Sequence, residues 1–448
     1  MPRRNIRIVI VMLIVCMLCA VHASRRMRVI QYAMHLISDR GLEPVDQQTL
    51  FEGAMLGMAA QADDYSDYIP ADVSQKYNEV IDGKFGGVGV SIETDPDTRQ
   101  LRIICPSKDS PASRAGILAG DIVLRIDGKS TRGMSLEDSS NLMRGKPGDP
   151  IVLTVSRTGI KEPFDIEVVR DVIHPDTVLG FKRYCDGSWD YMIDPEHKIA
   201  YLWIDAFTEQ TDIEFYDVIS NLERGGVRGV IIDLRNNSGG LLDRTIEICN
   251  LFTKPGDVIV STRDRDGNVI DCFCASSGEK IDIPMVVLVD NNTASAAEIL
   301  SACLQDYGLA TVIGCRSFGK GTVQELYDLE PDLGILKLTV AGFWRPSEKN
   351  IHRHRDDRPE DDWGVMPDEG YVFDLTEKQR GALLLARFER TRPVLPGAAC
   401  DEPGADAETS SAGSETNSAT QGSLPINPEI DPELAAAIRL LRGEEKTE

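Results

Sequence analysis

The sequence predicts a mixed α/β protein of at least two domains, and three observations lead there. Between Lys84 and Arg170, short β-branched runs (88–92, 101–105, 121–126 and 151–155) alternate with Gly and Pro turns and one short helix near Leu136–Met143, the pattern of a small β-rich module. From Lys198 onward, strands at Ile199–Ile204, 230–234, Met285–Val289 and 310–313 are separated by helical stretches at 212–224, 242–252 and 296–307. That alternation implies a largely parallel sheet covered by helices. The length of 448 residues exceeds the size at which a single core stops growing.

Arg3, Arg4 and Arg7 precede an apolar run over 8–21, too short for a comfortable span but suited to the core of a signal peptide. Residues 1–23 therefore predict a signal peptide cleaved after Ala23, or an uncleaved anchor, since Arg25, Arg26 and Arg28 blunt the charge asymmetry. Export is the expectation. Residues 24–80 read as a helical lead-in, with Leu50, Phe51, Ala54, Met55 and Met58 three to four apart. The β-rich module spans 81–171 and the α/β core 172–395. The stretch 396–428, rich in Gly, Ala, Ser, Thr, Glu and Pro, predicts disorder. The last segment, 429–448, predicts a helix over 432–442 behind an Asp431 cap.

With 48 basic against 72 acidic residues, the formal charge of −24 argues against nucleic acid as a partner. Of ten cysteines, Cys16 and Cys19 fall in the N-terminal segment and only Cys272 and Cys274 sit close together. A lone C-x-C lacks the further ligands of a zinc site. These two read as ordinary buried thiols or as a disulfide.

Three segments carry chemistry. A fully apolar strand at Met285–Val289 runs through a polar turn into a helix whose start holds Ser295. A hydroxyl there lies beside unpaired N–H groups and the positive end of the helix dipole; the plainer reading is that Thr293 or Ser295 only caps the helix. A serine needs a base, and none of the six histidines, His22, His35, His174, His197, His352 and His354, has an evident orienting context. A desolvated lysine does the same work. Lys320, in Ser317-Phe-Gly-Lys320-Gly-Thr-Val-Gln324, is the candidate: its flanking glycines admit close backbone approach, and Gln324 shares its face in an extended segment, placed to orient the amine. The plainer reading is a solvated turn lysine. The third segment, 230–241, is a buried strand that breaks at Gly239-Gly240. Amides bared there would complete an oxyanion hole with the N–H of Ala296.

These residues resemble the carboxyl-terminal processing peptidases, the tail-specific protease family, across 50–371. The resemblance is carried, in order, by Phe51-Glu-Gly-Ala-Met, Asp64-Tyr-Ser, Phe85-Gly-Gly-Val-Gly-Val, Ser110-Pro-Ala-Ser-Arg-Ala-Gly, Gly120-Asp-Ile-Val-Leu, Asp233-Leu-Arg-Asn-Asn-Ser-Gly-Gly and Ser317-Phe-Gly-Lys-Gly-Thr-Val-Gln. It implies a core of the crotonase/Clp-protease-like spiral type with a PDZ-like domain inserted after the helical lead-in. It also implies Ser295 as nucleophile, Lys320 as general base and Gln324 as its orienter, with Gly239, Gly240 and Ala296 supplying oxyanion amides. No cofactor or metal is implied. The chain departs from the family pattern at Asn292-Thr293-Ala294 and at Ala297. Gly87-Val88-Gly89-Val90 looks like the carboxylate loop of a PDZ domain, beside a strand edge open to an added peptide strand. The implied partners are polypeptides with exposed apolar carboxyl tails, with a membrane tether and homo-oligomerisation as further expectations.

Two rivals stand against this reading. Gly314-Cys-Arg-Ser-Phe-Gly319-Lys320 fits the G-x-x-x-x-G-K of a phosphate loop, but Gly321 replaces the Mg-binding hydroxyl and the residues that follow read as strand. The other is a PDZ scaffold whose dyad is silent.

Overall fold

The computed structural model describes residues 25–95, 98–184, 187–276, 278, 280–330, 333–392 and 426–444. The expected signal segment or anchor and nearly all of the expected disordered linker, 396–425, lie outside the described residues. The described residues pack as two compact units, those within 1–75 with 324–340, and those within 76–323 with 341–448.

In the smaller unit the lead-in is not one helix. Helix Arg25–Arg40 ends before Gly41 and Pro44, and a second helix, Gln47–Ala59, starts behind Asp46, whose Oδ1 accepts the Thr49 N–H at 2.8 Å. Proline disfavours helical backbone in the residue before it, which explains the break. A three-residue strand, Asp67–Ile69, then pairs antiparallel with residues 335–337. Tyr68 locks this pairing: its ring meets Phe51 edge-on at 6.0 Å, and its hydroxyl donates to the Leu333 carbonyl at 2.8 Å.

The larger unit holds both the β-rich module and the core. In the module, strands Val90–Thr94, Leu101–Pro106, Ile122–Ile126, Pro150–Ser156 and Phe164–Val169 form an antiparallel sheet, with helices at Pro111–Arg114 and Leu136–Met143. Alternate residues point inward as the strand period requires: Leu101 and Ile103 from one strand meet Ile151, Leu153 and Val155 from another in one buried cluster. Asp121 is buried where the module turns, and Arg157 holds it through two contacts of 2.7 Å.

The core is a parallel sheet in the order Ile199–Ile204, Gly229–Asp233, Met285–Val289, Ala310–Gly314, edged by Val178–Leu179 and Met192–Asp194 running antiparallel. Both faces are covered, so its strands read as near-continuous apolar runs. Ala200, Leu202, Ile204, Val230, Ile232, Val287 and Val289 face one way, toward helices Thr211–Arg224, Leu242–Asn250 and Ala296–Asp306. Tyr201, Ile231, Val286 and Leu288 face the other way, where Leu434, Ala437 and Ile438 of helix Pro432–Arg442 cover them. Each fully buried aliphatic side chain contributes roughly 1.5–3 kcal/mol.

Helix Pro432–Arg442 starts and ends where the sequence predicts, capped by Asp431 on the Leu434 N–H at 3.0 Å. Among the elements the sequence reading did not find are helix Glu377–Thr391, strand Gly334–Trp344, and the hairpin of Val258–Arg263 with Val269–Cys274. Cys272 and Cys274 lie on that hairpin and are exposed. The expected buried thiols are therefore surface thiols, on a strand that is exposed along nearly all of its length among the described residues. Among the described residues no helix is long and apolar enough to cross a membrane.

Because strands Gly229–Asp233, Met285–Val289 and Ala310–Gly314 are parallel, their carboxyl ends share one edge of the sheet. Residues 234–241, 290–295 and 315–321 leave from that edge, the usual location of sites in such sheets.

Candidate active site

The turn before Ser295 is tied to its neighbours at every step. Asp290 Oδ1 accepts the N–H of Asn292 at 3.0 Å and that of Asn236, from the adjacent strand end, at 2.9 Å. The Thr293 hydroxyl accepts from the Asp290 N–H and donates to the Leu234 carbonyl, both at 2.9 Å. The Ala294 N–H donates to the Asn237 carbonyl at 2.9 Å. So held, Ser295 adopts φ 57°, ψ −120°. This is not the extended backbone of an ordinary capping serine but a sparsely populated conformation that persists only where the surroundings impose it. Helix Ala296–Asp306 begins at the next residue.

Glu298, three residues on, organises the site. It is fully buried, and its Oε2 accepts the Ser295 N–H at 2.9 Å and the Lys320 N–H at 2.8 Å. Its Oε1 accepts the Gly319 N–H at 2.7 Å and the Ser317 hydroxyl at 2.5 Å. One carboxylate thus joins the serine turn to the lysine loop. Burial pushes it up to about 6, opposed by hydrogen bonds from Ser317, Gly319, Ser295 and Lys320. The sequence reading passed over Glu298, although Ser295-x-x-Glu298 has capping-box spacing and was the available signal.

The lysine loop is sewn to residues 351–365. Ser317 N–H donates to the Val365 carbonyl at 3.1 Å, and the Val365 N–H returns to the Ser317 hydroxyl at 2.7 Å. The Phe343 N–H donates to the Gly321 carbonyl at 2.8 Å. The glycines flanking Lys320 do admit backbone at close range: a Cβ on Gly321 would lie 2.2 Å from the His352 nitrogen. Residues Thr322–Glu330 form a strand, not the helix a phosphate loop requires.

Gly239 and Gly240 lie against the serine turn and the neighbouring strand end. At φ 100°, Gly239 comes so close that a Cβ on it would sit 2.8 Å from the Ser295 Cβ and 3.0 Å from the Ala296 nitrogen. At φ 142°, Gly240 would carry a Cβ 2.1 Å from the Phe207 carbonyl oxygen. One expectation changes here. The Gly239 N–H is already engaged, donating to Asn237 Oδ1 at 2.7 Å, while Asn237 Nδ2 donates to the Ile204 carbonyl at 2.7 Å. That leaves Gly240 and Ala296 as the amide candidates. Gln324 belongs to the smaller unit, where its Nε2 donates to the Thr339 hydroxyl at 3.4 Å and Thr339 donates to Asp63 at 3.0 Å. Of the histidines, His35 and His197 have carboxylate partners after all, Asp39 at 3.2 Å and Asp194 at 3.0 Å, the latter shared with Arg442.

Behind the glycine loop lies a buried ion cluster. Arg235 donates to Asp233 at 2.6 Å, to Asp431 at 2.8 Å and to Glu433 at 2.7 Å. Arg387 and the Tyr201 hydroxyl each add a 2.7 Å contact to Asp233. Burial alone would raise Asp233, but the two guanidinium groups hold it well below the usual carboxylate range. Burial lifts Glu433 to about 7 despite Arg235.

In the β-rich module, Gly87 pairs with Asp171, the Val88 carbonyl accepts the Ala112 N–H at 2.9 Å and the Gly89 carbonyl accepts the Ser107 N–H at 3.0 Å. These bonds fix the 87–90 loop at the start of strand Val90–Thr94, ahead of Val90. Among the described residues no group of three or more His, Cys, Asp or Glu stands close enough to hold a metal ion.

The sequence profile of peptidase family S41 matches residues 198–370, and that of the PDZ domain matches 102–157, a range that leaves out the 87–90 loop. The carboxy-terminal-processing protease of Bartonella bacilliformis is 35% identical over 404 residues, 89% of this chain and 84% of that protein. The carboxy-terminal processing protease CtpA of Bacillus subtilis is 34% identical over 312 residues, 69% of this chain and 63% of that protein. Among solved structures, the photosystem II D1 C-terminal processing protease aligns with TM-score 0.43 and 24% identity, covering 79% of this chain and 94% of its own. On the extent of the Bartonella likeness, with a family S41 core behind a PDZ domain, the chain belongs to the carboxy-terminal processing proteases and is a serine peptidase.

Proposed function

We propose that Ser295 and Lys320 form the catalytic dyad of an endopeptidase that cuts polypeptides recruited by their carboxyl tails. The observation that carries this reading is the bridging of Glu298 between the Ser295 and Lys320 amides, because a nucleophile and a base on separate loops need a common anchor. A neutral Lys320 amine takes the Ser295 proton, and the alkoxide attacks the peptide carbonyl. The Gly240 and Ala296 amides stabilise the oxyanion, supported by the positive end of helix Ala296–Asp306. The leaving amine takes a proton from Lys320, and water then attacks the acyl-enzyme with Lys320 again as base. Glu298 holds both loops and does not touch the reacting atoms. Gln324 orients Lys320 in this scheme.

The module at 81–171 takes apolar carboxyl tails, with the Gly87-Val88-Gly89-Val90 amides on the terminal carboxylate and strand Val90–Thr94 pairing with the tail. Residues 1–23 direct the chain to an extracytoplasmic, in bacteria periplasmic, location or tether it there, and homo-oligomerisation goes with the family resemblance. The test is mass spectrometry of an unstructured polypeptide with an apolar tail after incubation with wild type, Ser295→Ala and Lys320→Ala. Cleavage by wild type alone supports the dyad; equal cleavage by all three overturns it.

A further inference from the structure

Cys272 and Cys274 stand apart from everything the peptidase uses. They occupy alternate positions of strand Val269–Cys274, so both side chains leave the same face. This strand is the outer member of its sheet, hydrogen-bonded to Val258–Arg263 and lying at the end of the strand order. Both cysteines are exposed. Their sulfurs nevertheless lie 3.8 Å apart. Positions i and i+2 of a strand are separated by roughly 6.6 Å between Cα atoms, so the two side chains lean together rather than standing parallel. The same spacing falls inside the range of about 4.4–6.8 Å between Cα atoms that a disulfide tolerates, near its upper end.

The surroundings select among the chemistries open to two thiols. A tetrahedral metal ion needs two more donors, and the described residues supply no third His, Cys, Asp or Glu to such a group. A structural disulfide joins segments that would otherwise separate, and a bond between neighbours two apart closes almost no loop and removes little unfolded-state entropy. What remains is exchange chemistry. It needs two accessible sulfurs within reach of each other and of a soluble disulfide, and both conditions hold here.

We propose that Cys272 and Cys274 are a surface redox pair that exchanges with small disulfides of the glutathione or cystine class. One thiolate attacks the small disulfide, forming a mixed disulfide and releasing one small thiolate. The other cysteine thiolate attacks the protein-side sulfur, releasing the second small thiolate and closing the Cys272–Cys274 bond. The protein dithiol loses two electrons and two protons, and one small disulfide becomes two small thiols. Desolvation and the neighbouring sulfur raise the Cys272 thiol, which slows exchange without blocking it, since a more basic thiolate is also the stronger nucleophile.

The experiment uses the full chain, wild type, Cys272→Ser and Cys274→Ser, each incubated with oxidised glutathione, quenched with N-ethylmaleimide and digested for mass spectrometry. In wild type the peptide carrying both cysteines is expected to become lighter by two hydrogen atoms, pass through a short-lived glutathione adduct and regain two maleimide labels after reduction. In either variant the adduct should persist ~100-fold longer, because no tethered thiol at millimolar effective concentration resolves it. Two maleimide labels on the oxidised wild type, two stable glutathione adducts, or a disulfide to another peptide would each overturn the proposal. Both side chains are exposed, so the serine variants remove no core contact, and the wild-type result stands without them.

Discussion

Glu298 and Asp233 are both fully buried, and both serve loops at the same edge of the core sheet. Glu298 is met by three backbone N–H groups and one hydroxyl. Asp233 is met by two guanidinium groups and a phenol. The consequence for ionisation is opposite: Glu298 rises to about 6 and Asp233 falls below the usual range. Neutral donors compensate only part of the cost of taking a carboxylate out of water, whereas formal positive charge in the same low-dielectric surroundings overcompensates it. The site is therefore anchored by one carboxylate whose ionisation burial opposes and one whose ionisation its guanidinium partners favour.

Four measurements break or sharpen this contrast. The largest effect is expected from Glu298→Ala, which leaves the Ser295, Gly319 and Lys320 amides and the Ser317 hydroxyl without their acceptor. The peptidase rate should fall by about 100-fold or more, as a misplacement near 1 Å costs, and progress curves on a tailed peptide check it. A near-normal rate would show that the bridge does not position the dyad.

Next in size, Arg235→Ala exposes the ion cluster as a stability device. Removing one partner of a buried ion pair costs roughly 3–5 kcal/mol, and urea denaturation reads it directly. Arg235→Met should cost nearly as much, because Asp431 and Glu433 keep no guanidinium contact of their own among the described residues. A loss under about 1 kcal/mol would mean that the cluster is not sealed from water.

The third measurement is the pH dependence of stability. The folded-state value of Glu298, about 6, lies above the model value of 4.5, so its contribution is present below about pH 4.5 and is lost as pH rises through 6. The loss is ~2 kcal/mol at 1.36 kcal/mol per pH unit. Asp233 acts with the opposite sign: its folded-state value is depressed, so its contribution is present above about pH 4 and disappears as pH falls further. Denaturation midpoints at pH 5 and pH 7.5, compared between wild type and Glu298→Gln, test the first slope, which should flatten in the variant.

The smallest effect belongs to Glu433→Gln. Glu433 rises to about 7, so its neutral form is favoured below neutrality and its contribution too is lost as pH rises through 7. The amide variant does not titrate, so it should match wild type within about 1 kcal/mol at pH 5 and gain on it as pH rises through 7. Equal stability at every pH would place the Glu433 charge outside the energetics of helix docking.

Local patterns made much of this protein legible in advance. Helices at Leu136–Met143 and Pro432–Arg442 and strands at Ile199–Ile204 and Met285–Val289 lie where periodicity and caps put them. Elements with a strong period and a capping residue carry their own boundary signals. The three loops bearing Gly239, Ser295 and Lys320 were also visible, because a buried strand that stops at Gly or at a polar turn announces a site-bearing connection. The lead-in helix was overextended across Pro44. The hairpin of Val258–Arg263 with Val269–Cys274 was missed, since its outer strand is exposed and shows no clean alternation of burial.

What sequence by itself determined is the order of chemical parts along the chain: a strand, a turn and a helix for Ser295, a glycine-flanked lysine 25 positions later, and a paired glycine before both. Only the tertiary structure decided which groups satisfy which. That Glu298 bridges two loops, that Asn237 occupies the Gly239 amide, and that Asp431 and Glu433 reach back nearly 200 positions to Arg235 are pairings between segments distant in sequence. Local propensity depends on neighbours within a few residues, whereas a buried polar group takes whichever partner the packed fold brings within 3 Å.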